Sequence, residues 1–84
     1  MAGERAETAA TLRAFVMQRY LPDRARPLSD DEPLISSGIV DSMGLVDLTL
    51  FIEEDLGVFL SPDEFGEGRA DTLTQILALI ERQR

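Results

Sequence analysis

Apolar residues recur at helical spacing in three separate stretches of the chain, and nowhere do apolar and polar residues alternate as they do in a strand. The last of these stretches is the most regular, because Leu73, Ile76, Leu77 and Ile80 fall on one side of a helix. Without strands to form a sheet, such stripes can be buried only by packing helices against one another. The pattern therefore predicts an all-α fold.

Proline delimits the first helix and the segment that follows it. A helix is predicted over residues 4–20, and Pro22 ends it because the residue before a proline avoids helical dihedrals. A connection over residues 21–40 follows, and loops of this length are usually pinned down or functional. Gly38 favours a turn near its end. The residues expected to fix this connection to the core are Leu28, Leu34, Ile35, Ile39 and Val40.

Capping residues place the remaining helices. Asp41 and Ser42 are good N-cap residues for a helix over 42–56. Gly57 then supplies a stop signal.

Two shorter signals complete the secondary structure. The pair Ser61-Pro62 indicates a short helix over 62–66, since proline is favoured in the first helical position. A last helix is predicted over 72–82, with Asp71 or Thr72 as its cap. We therefore expect the 84 residues to form a small antiparallel bundle of three main helices plus one short helix, with a long loop after the first helix.

The helix over 42–56 is too apolar for a single buried face. One stripe comprises Leu45, Leu48, Ile52 and Leu56. A second stripe, formed by Met43, Val46 and Leu50, lies further around the helix between acidic residues. One stripe is enough for a small core, so we expect the second to stay exposed and to meet a partner. The alternative is that a wrapping loop buries both stripes.

The amino-acid composition removes most catalytic chemistry. The chain has no Cys, no His and no Trp, and all 8 of its basic residues are Arg. Disulfides, thiolate nucleophiles and zinc–thiolate sites are therefore excluded. A histidine base and a Schiff-base lysine are excluded as well. We expect a protein that is not an enzyme.

The charge distribution limits the classes of partner. A formal net charge of −8 makes nucleic acid an improbable partner, because phosphate binding needs a basic face. No basic residue occurs over residues 27–68, while acidic residues recur there. The middle of the molecule should therefore carry a negative field that steers a basic protein partner. The alternative is an acidic surface that serves only solubility.

Two further absences bear on location. No run approaches the roughly 20 apolar residues of a membrane span. The start of the chain carries acidic residues and lacks the apolar segment of a signal peptide. We expect a cytoplasmic monomer without membrane insertion.

The run Gly38-Ile39-Val40-Asp41-Ser42-Met43 resembles the attachment motif of the acyl and peptidyl carrier protein family. The order of elements along the chain is also similar to that family. The resemblance implies an acyl-carrier-protein-like fold and a single carrier domain over residues 1–84. It also implies a 4′-phosphopantetheine arm, attached to Ser42, that holds an acyl or aminoacyl group as a thioester.

The same resemblance implies the partners. They are a phosphopantetheinyl transferase that takes the arm from coenzyme A, an adenylating ligase or acyltransferase that loads the arm, and a downstream acceptor enzyme. The helix after the serine is the recognition helix of the family. The partner-binding residues implied in this way are Asp41, Met43, Gly44, Val46, Asp47, Leu50, Glu53 and Glu54.

Within the family, the chain is most similar to aminoacyl carriers such as the D-alanyl carrier proteins of cell-wall teichoic acid modification. The similarity rests on the run 41–44, on Glu64-Phe65 and on the spacing from Phe65 to Asp71. Gly44 points the same way, and we interpret it as leaving the surface near the attachment site uncrowded. The first helix and the absence of Lys are not typical of the D-alanyl proteins, so a specialised secondary-metabolite carrier is also expected. A fatty-acid or polyketide carrier is the alternative.

Other interpretations follow from the residues alone. Ser42 can be a plain N-cap, and the protein can be an unmodified acidic adaptor that binds partner helices through the second stripe. The acidic runs 29–32 and 53–55 can bind a divalent cation weakly, but neither has the spacing of a calcium-binding loop. We favour solvated surface for both runs and expect no metal site.

Overall fold

The computed structural model describes residues 2–83. Three α-helices lie within them: α1 spans Ala2–Tyr20, α2 spans Ser42–Leu56 and α3 spans Leu73–Gln83. The range of α2 is the one predicted from the sequence, α1 begins two residues earlier, and α3 begins and ends one residue later. These residues contain no strand, only an isolated bridge between Phe65 and Ala70. The fold is therefore all-α.

The short helix predicted over 62–66 is a single 3₁₀ turn, Pro62–Glu64. Its Ser61 cap is reciprocal, because the Ser61 hydroxyl accepts from the backbone N–H of Asp63 while the Glu64 carboxylate accepts from the Ser61 N–H at 2.8 Å. Phe65 then has extended dihedrals and Gly66 a positive φ of 128°. The chain turns away at this point, so the segment cannot continue as a helix.

The start of α3 is capped by Thr72. Its hydroxyl accepts from the Gln75 N–H at 3.2 Å, and the Gln75 side chain accepts from the Thr72 N–H at 3.2 Å and the Asp71 N–H at 2.8 Å. This is the reciprocal arrangement of a capping box. Thr72 is thus the cap, which leaves the Asp71 side chain available for another contact.

Asp71 binds the long connection between α1 and α2. Its carboxylate accepts hydrogen bonds from the backbone N–H groups of Ile35 and Ser36 at 2.8 and 2.9 Å, and from the Ser36 hydroxyl. The Leu34 N–H donates to the Asp71 carbonyl at 2.7 Å. Burial acts to raise the pKa of Asp71, but the hydrogen bonds from Ser36, Ile35 and Leu34 outweigh it and lower the pKa.

Two arginines hold the earlier part of the connection. Arg13 of α1 donates to the Leu28 carbonyl at 3.1 Å and pairs with Asp30. Arg24 forms a bidentate pair with Glu32, at 2.9 and 2.6 Å, and these hydrogen bonds are the main reason that the pKa of Glu32 is lowered. The N–H of Thr74 in α3 also donates to the Asp30 carbonyl at 3.2 Å, so the connection is tied to α1, to α3 and to itself.

The connection also supplies part of the core. Leu28, Leu34 and Val40 are buried, while Ile35 and Ile39 are partly buried and pack against the buried cluster. The helices contribute the other large buried side chains, among them Leu12, Val16, Leu48, Ile52, Leu73, Ile76 and Ile80. The Cα radius of gyration is 11.8 Å, close to the value of about 12 Å expected for a compact chain of this length.

Within residues 2–83, no helix is long and apolar enough to cross a membrane.

Replacement of Asp71 by Ala should lower the free energy of unfolding by about 2 kcal/mol at neutral pH, because the variant loses charge-assisted hydrogen bonds. The folded-state pKa of Asp71 lies below its ordinary value of 3.8, so this stabilisation is complete above that value and is lost as the pH falls through the folded pKa. Urea unfolding at a series of pH values measures the difference between wild type and variant.

The matched control is Asp23→Ala, which removes an exposed carboxylate without a hydrogen bond or ion pair inside residues 2–83. Its stability should stay within about 0.5 kcal/mol of wild type at every pH. A difference between wild type and Asp71→Ala that did not shrink on acidification would contradict the carboxylate's role.

Candidate functional site

Ser42 is the first residue of α2 and is exposed to solvent. Asp41, directly before it, has the extended dihedrals of an N-cap, and its carboxylate accepts from the Gly44 N–H at 2.7 Å. No hydrogen bond to the Ser42 hydroxyl exists within the described part of the chain. Asp41 therefore caps the helix, and the Ser42 hydroxyl is left free.

A short anchored turn leads into Ser42. Gly38 has a left-handed φ of 86°, and its N–H donates to the Ile35 carbonyl at 3.0 Å. The Val40 N–H returns to the Leu34 carbonyl at 2.8 Å, with both side chains fully buried. The turn predicted at Gly38 is confirmed. It fixes the backbone two residues before Ser42 while Ser42 itself faces solvent.

The first turn of α2 also offers free backbone donors. The N–H groups of Ser42 and Met43 have no hydrogen-bond partner within residues 2–83. Such N–H groups lie at the positive end of the helix dipole and can bind an anion. The start of α2 therefore has two backbone donors that are available to an anion.

The two apolar stripes of α2 have different environments. Leu48 and Ile52 of the first stripe are fully buried, whereas Leu45 and Leu56 are partly buried and pack against the core. Met43, Val46 and Leu50 of the second stripe are 80%, 57% and 49% exposed. The expectation that the second stripe is exposed is confirmed, and the stripe begins at the residue after Ser42.

Phe59 extends this apolar surface, and the sequence interpretation missed it. Its side chain is 72% exposed, and a groove of about 150 Å³ lies between it and α2, lined by Val46, Leu50 and Pro62 among others. Burial alternates here, because Val58 and Leu60 on either side of Phe59 are buried. All three residues are apolar, so the sequence contains no signal that distinguishes the exposed one.

The acidic residues of α2 differ in their availability. Glu53 and Glu54 are exposed and form no ion pair with the rest of residues 2–83. Asp47 pairs with Arg19 at the end of α1, and this hydrogen bond is the main cause of a raised pKa of Arg19. Asp47 is therefore already paired within the protein, and because its side chain stays 43% exposed, its contact with partner enzymes remains a prediction. Asp41 remains exposed, although it also accepts from the Gly44 N–H.

The interpretation of Gly44 as an uncrowded approach to Ser42 is wrong. A Cβ atom at Gly44 would lie 2.9 Å from Tyr20 Cε1 and 3.2 Å from Asp41 Oδ1. The ring of Tyr20 occupies the space that the missing side chain leaves. Glycine is required here by a contact within the molecule.

The acidic run 29–32 serves the fold. Asp30 pairs with Arg13, and its backbone carbonyl accepts from Thr74 N–H at 3.2 Å. Glu32 pairs with Arg24. No group of three or more acidic, His or Cys side chains that could hold a metal ion occurs within residues 2–83.

No protein-family model matches the chain, and no curated protein matches it.

Replacement of Leu50 by Gln should change the free energy of unfolding by less than about 0.5 kcal/mol, since this side chain is half exposed in the folded protein. Leu48→Ala, on the buried side of the same helix, should lower it by about 3 kcal/mol through lost burial and a residual cavity. Urea unfolding of both variants measures the contrast. Equal losses would show that the second stripe is buried after all.

Proposed function

We propose that this chain is a carrier protein that holds an acyl or aminoacyl group on a 4′-phosphopantetheine arm attached to Ser42 and presents it to partner enzymes. The observation that carries the proposal is the free, exposed Ser42 hydroxyl at the start of a helix whose next turns expose Met43, Val46 and Leu50. A modifying enzyme can bind such a surface while its active site contacts the adjacent hydroxyl. The motif around Ser42, which resembles that of carrier proteins, supports the same assignment.

The residues around Ser42 suit a phosphodiester. The unpartnered N–H groups of Ser42 and Met43 would hold its oxygens. Asp41 adds a negative charge nearby, but its Oδ1 atom already accepts from the Gly44 N–H. The attached arm would supply a thiol that carries the cargo as a thioester.

The composition of the chain suits a passive carrier. Without His, Lys or Cys, the chain offers no side-chain imidazole, amine or thiol that could attack a bound thioester. The same absences leave Ser42 without a histidine or lysine base, so we expect the transferase to accept the serine proton. The chain contributes the acceptor oxygen and the docking surface, and its partners carry out the chemistry.

The nature of the cargo is inferred from sequence similarity. The internal contact with Tyr20 accounts for Gly44, so this glycine no longer favours an aminoacyl cargo. The similarity to aminoacyl carriers in the segments around Phe65 and Asp71 remains. In the structure, the Asp71 side chain binds the backbone of Ile35 and Ser36 and so has a role within the fold. An aminoacyl or specialised secondary-metabolite cargo stays our proposal, with fatty-acyl and polyketide cargoes as alternatives.

An unmodified adaptor is the second candidate, because the exposed stripe and Phe59 would serve it equally well. The two candidates differ in the fate of Ser42. Incubation of the chain with coenzyme A, Mg²⁺ and a broad-specificity phosphopantetheinyl transferase should add one phosphopantetheinyl group, detected by intact-mass spectrometry. Ser42→Ala should abolish the addition.

Ser29→Ala is the matched control, since Ser29 is an exposed serine in another loop. This variant should be modified as completely as wild type. If the wild-type chain gains no mass, or if Ser42→Ala still does, the carrier assignment fails and the adaptor is favoured.

The partner surface makes a separate prediction about charge. The double variant Glu53→Lys/Glu54→Lys should lower the kcat/KM of modification by about tenfold at low ionic strength, and by less at high salt, because screening weakens the attraction to a basic enzyme. The rate of modification at several salt concentrations measures this effect.

Asp31→Lys/Glu67→Lys is the control, because it makes the same change in net charge at exposed acids outside α2. Its kcat/KM should stay close to wild type. Equal losses in the two double variants would mean that only the total charge matters and that α2 is not the docking surface.

A further inference from the structure

The contact between Tyr20 and Gly44 joins the end of α1 to the first turn of α2. The ring lies so close that a Cβ at Gly44 would be 2.9 Å from Tyr20 Cε1 and 3.5 Å from Val40 Cγ1. Real Cβ atoms do not approach a ring carbon this closely, so only glycine accommodates the tyrosine. A glycine inside a helix is less favourable than alanine by about 1 kcal/mol, and the helix itself therefore gives no reason for it.

The backbone carbonyl and N–H of Gly44 each form a hydrogen bond with a side chain. The Tyr20 hydroxyl donates to the Gly44 carbonyl at 2.6 Å, and the Gly44 N–H donates to the Asp41 carboxylate at 2.7 Å. Ser42 lies between Asp41 and Gly44 along the chain. The turn that carries Ser42 is thus fixed at one end by the cap and at the other by Tyr20.

Tyr20 is itself held firmly. Its ring meets Phe15 edge-on at a centroid distance of 6.0 Å, and Phe15 stacks on Phe51 of α2 at 4.0 Å. The neighbouring Arg19 pairs with Asp47, one turn after Gly44. Burial, followed by the charge of Asp47, raises the pKa of Tyr20 to about 12, so the hydroxyl remains a donor at neutral pH.

We propose that Tyr20 is a positioning residue, which fixes the first turn of α2 and thereby the direction in which the Ser42 hydroxyl is presented relative to the exposed stripe of Met43, Val46 and Leu50. This role rests on the proposed function of Ser42 as the attachment site. A transferase that grips the stripe needs the serine oxygen within about 3.5 Å of the phosphorus it attacks, and a displacement of about 1 Å can lower the rate by about a hundredfold.

Two substitutions test the contact from its two sides. Tyr20→Phe removes the hydroxyl and keeps the ring, whereas Gly44→Ala displaces the ring. Single-turnover modification by a broad-specificity transferase should slow by about tenfold in Tyr20→Phe and by more in Gly44→Ala. The KM for the carrier should change by less than about twofold, because the stripe that the enzyme grips is untouched.

A second measurement reports the geometry without any modification. The ¹⁵N order parameters of the Ser42, Met43 and Gly44 amides should fall in both variants from the rigid value of about 0.85 towards 0.6. Ile80→Val is the control for lost stability: it removes one buried methyl group from α3 and makes no change in the Tyr20–Gly44 contact. This variant should keep wild-type rates and order parameters.

The outcomes separate this proposal from the carrier assignment. If wild type is modified at Ser42, but Tyr20→Phe shows wild-type rates and order parameters, Tyr20 has only a structural role and the positioning proposal is overturned. If wild type is not modified, the carrier assignment fails. The order parameters then decide alone: unchanged values in both variants overturn the fixing of the turn, and lowered values support it.

Discussion

The connection between α1 and α2 must be held against the helices, and the rest of the structure depends on this constraint. Its anchor is Asp71, whose carboxylate and carbonyl together accept hydrogen bonds from Leu34, Ile35 and Ser36. Beyond this anchor, the Gly38–Ile35 and Val40–Leu34 hydrogen bonds lead the chain to the start of α2. The position of Ser42 therefore depends on Asp71, the residue before the Thr72 cap of α3, although Ser42 and Asp71 are far apart in sequence.

Three arginines form ion pairs with acidic residues of the connection and of α2. Arg13 and Arg24 pair with acids of the connection, and Arg19 pairs with Asp47. These pairs use Asp30, Glu32 and Asp47, whereas Glu53 and Glu54, further along α2, form no ion pair within residues 2–83. The negative field of a chain with net charge −8 is thus carried on α2 by its later turns, beside Leu50 and Phe59. A basic partner would be steered to that end of the helix.

Periodicity made the local structure and its buried faces predictable. A spacing of three or four residues assigns Leu48 and Ile52 to the core and Val46 and Leu50 to the surface, and the structure agrees. Proline and glycine signals placed the helix ends within two residues. The 3₁₀ turn is shorter than predicted because local signals indicate where a turn begins, whereas its end follows from the extended dihedrals of Phe65 and the positive φ of Gly66.

Contacts between residues that are far apart in sequence could not be predicted from the sequence, for a physical reason. Whether Asp47 meets Arg19 or solvent depends on how α1 packs on α2, and no local pattern encodes that packing. Asp71 is a reasonable helix cap by composition, yet Thr72 performs the capping and releases Asp71 to bind the connection. The sequence indicates that Asp47 and Asp71 have a role, but it does not indicate the residues that they contact.

Gly44 shows how such a contact alters a functional interpretation. A glycine near an exposed serine can mean an open approach, and this interpretation needs empty space at the missing side chain. The space holds the ring of Tyr20, so the glycine brings α1 against the first turn of α2. The exposed surface there consists of the side chains of Met43, Val46 and Leu50, on a turn that the Asp41 cap and the Tyr20 hydroxyl hold by hydrogen bonds. Under the proposed function, such a turn would present the attachment site in one orientation to several enzymes in succession, because the orientation would be set before any of them binds.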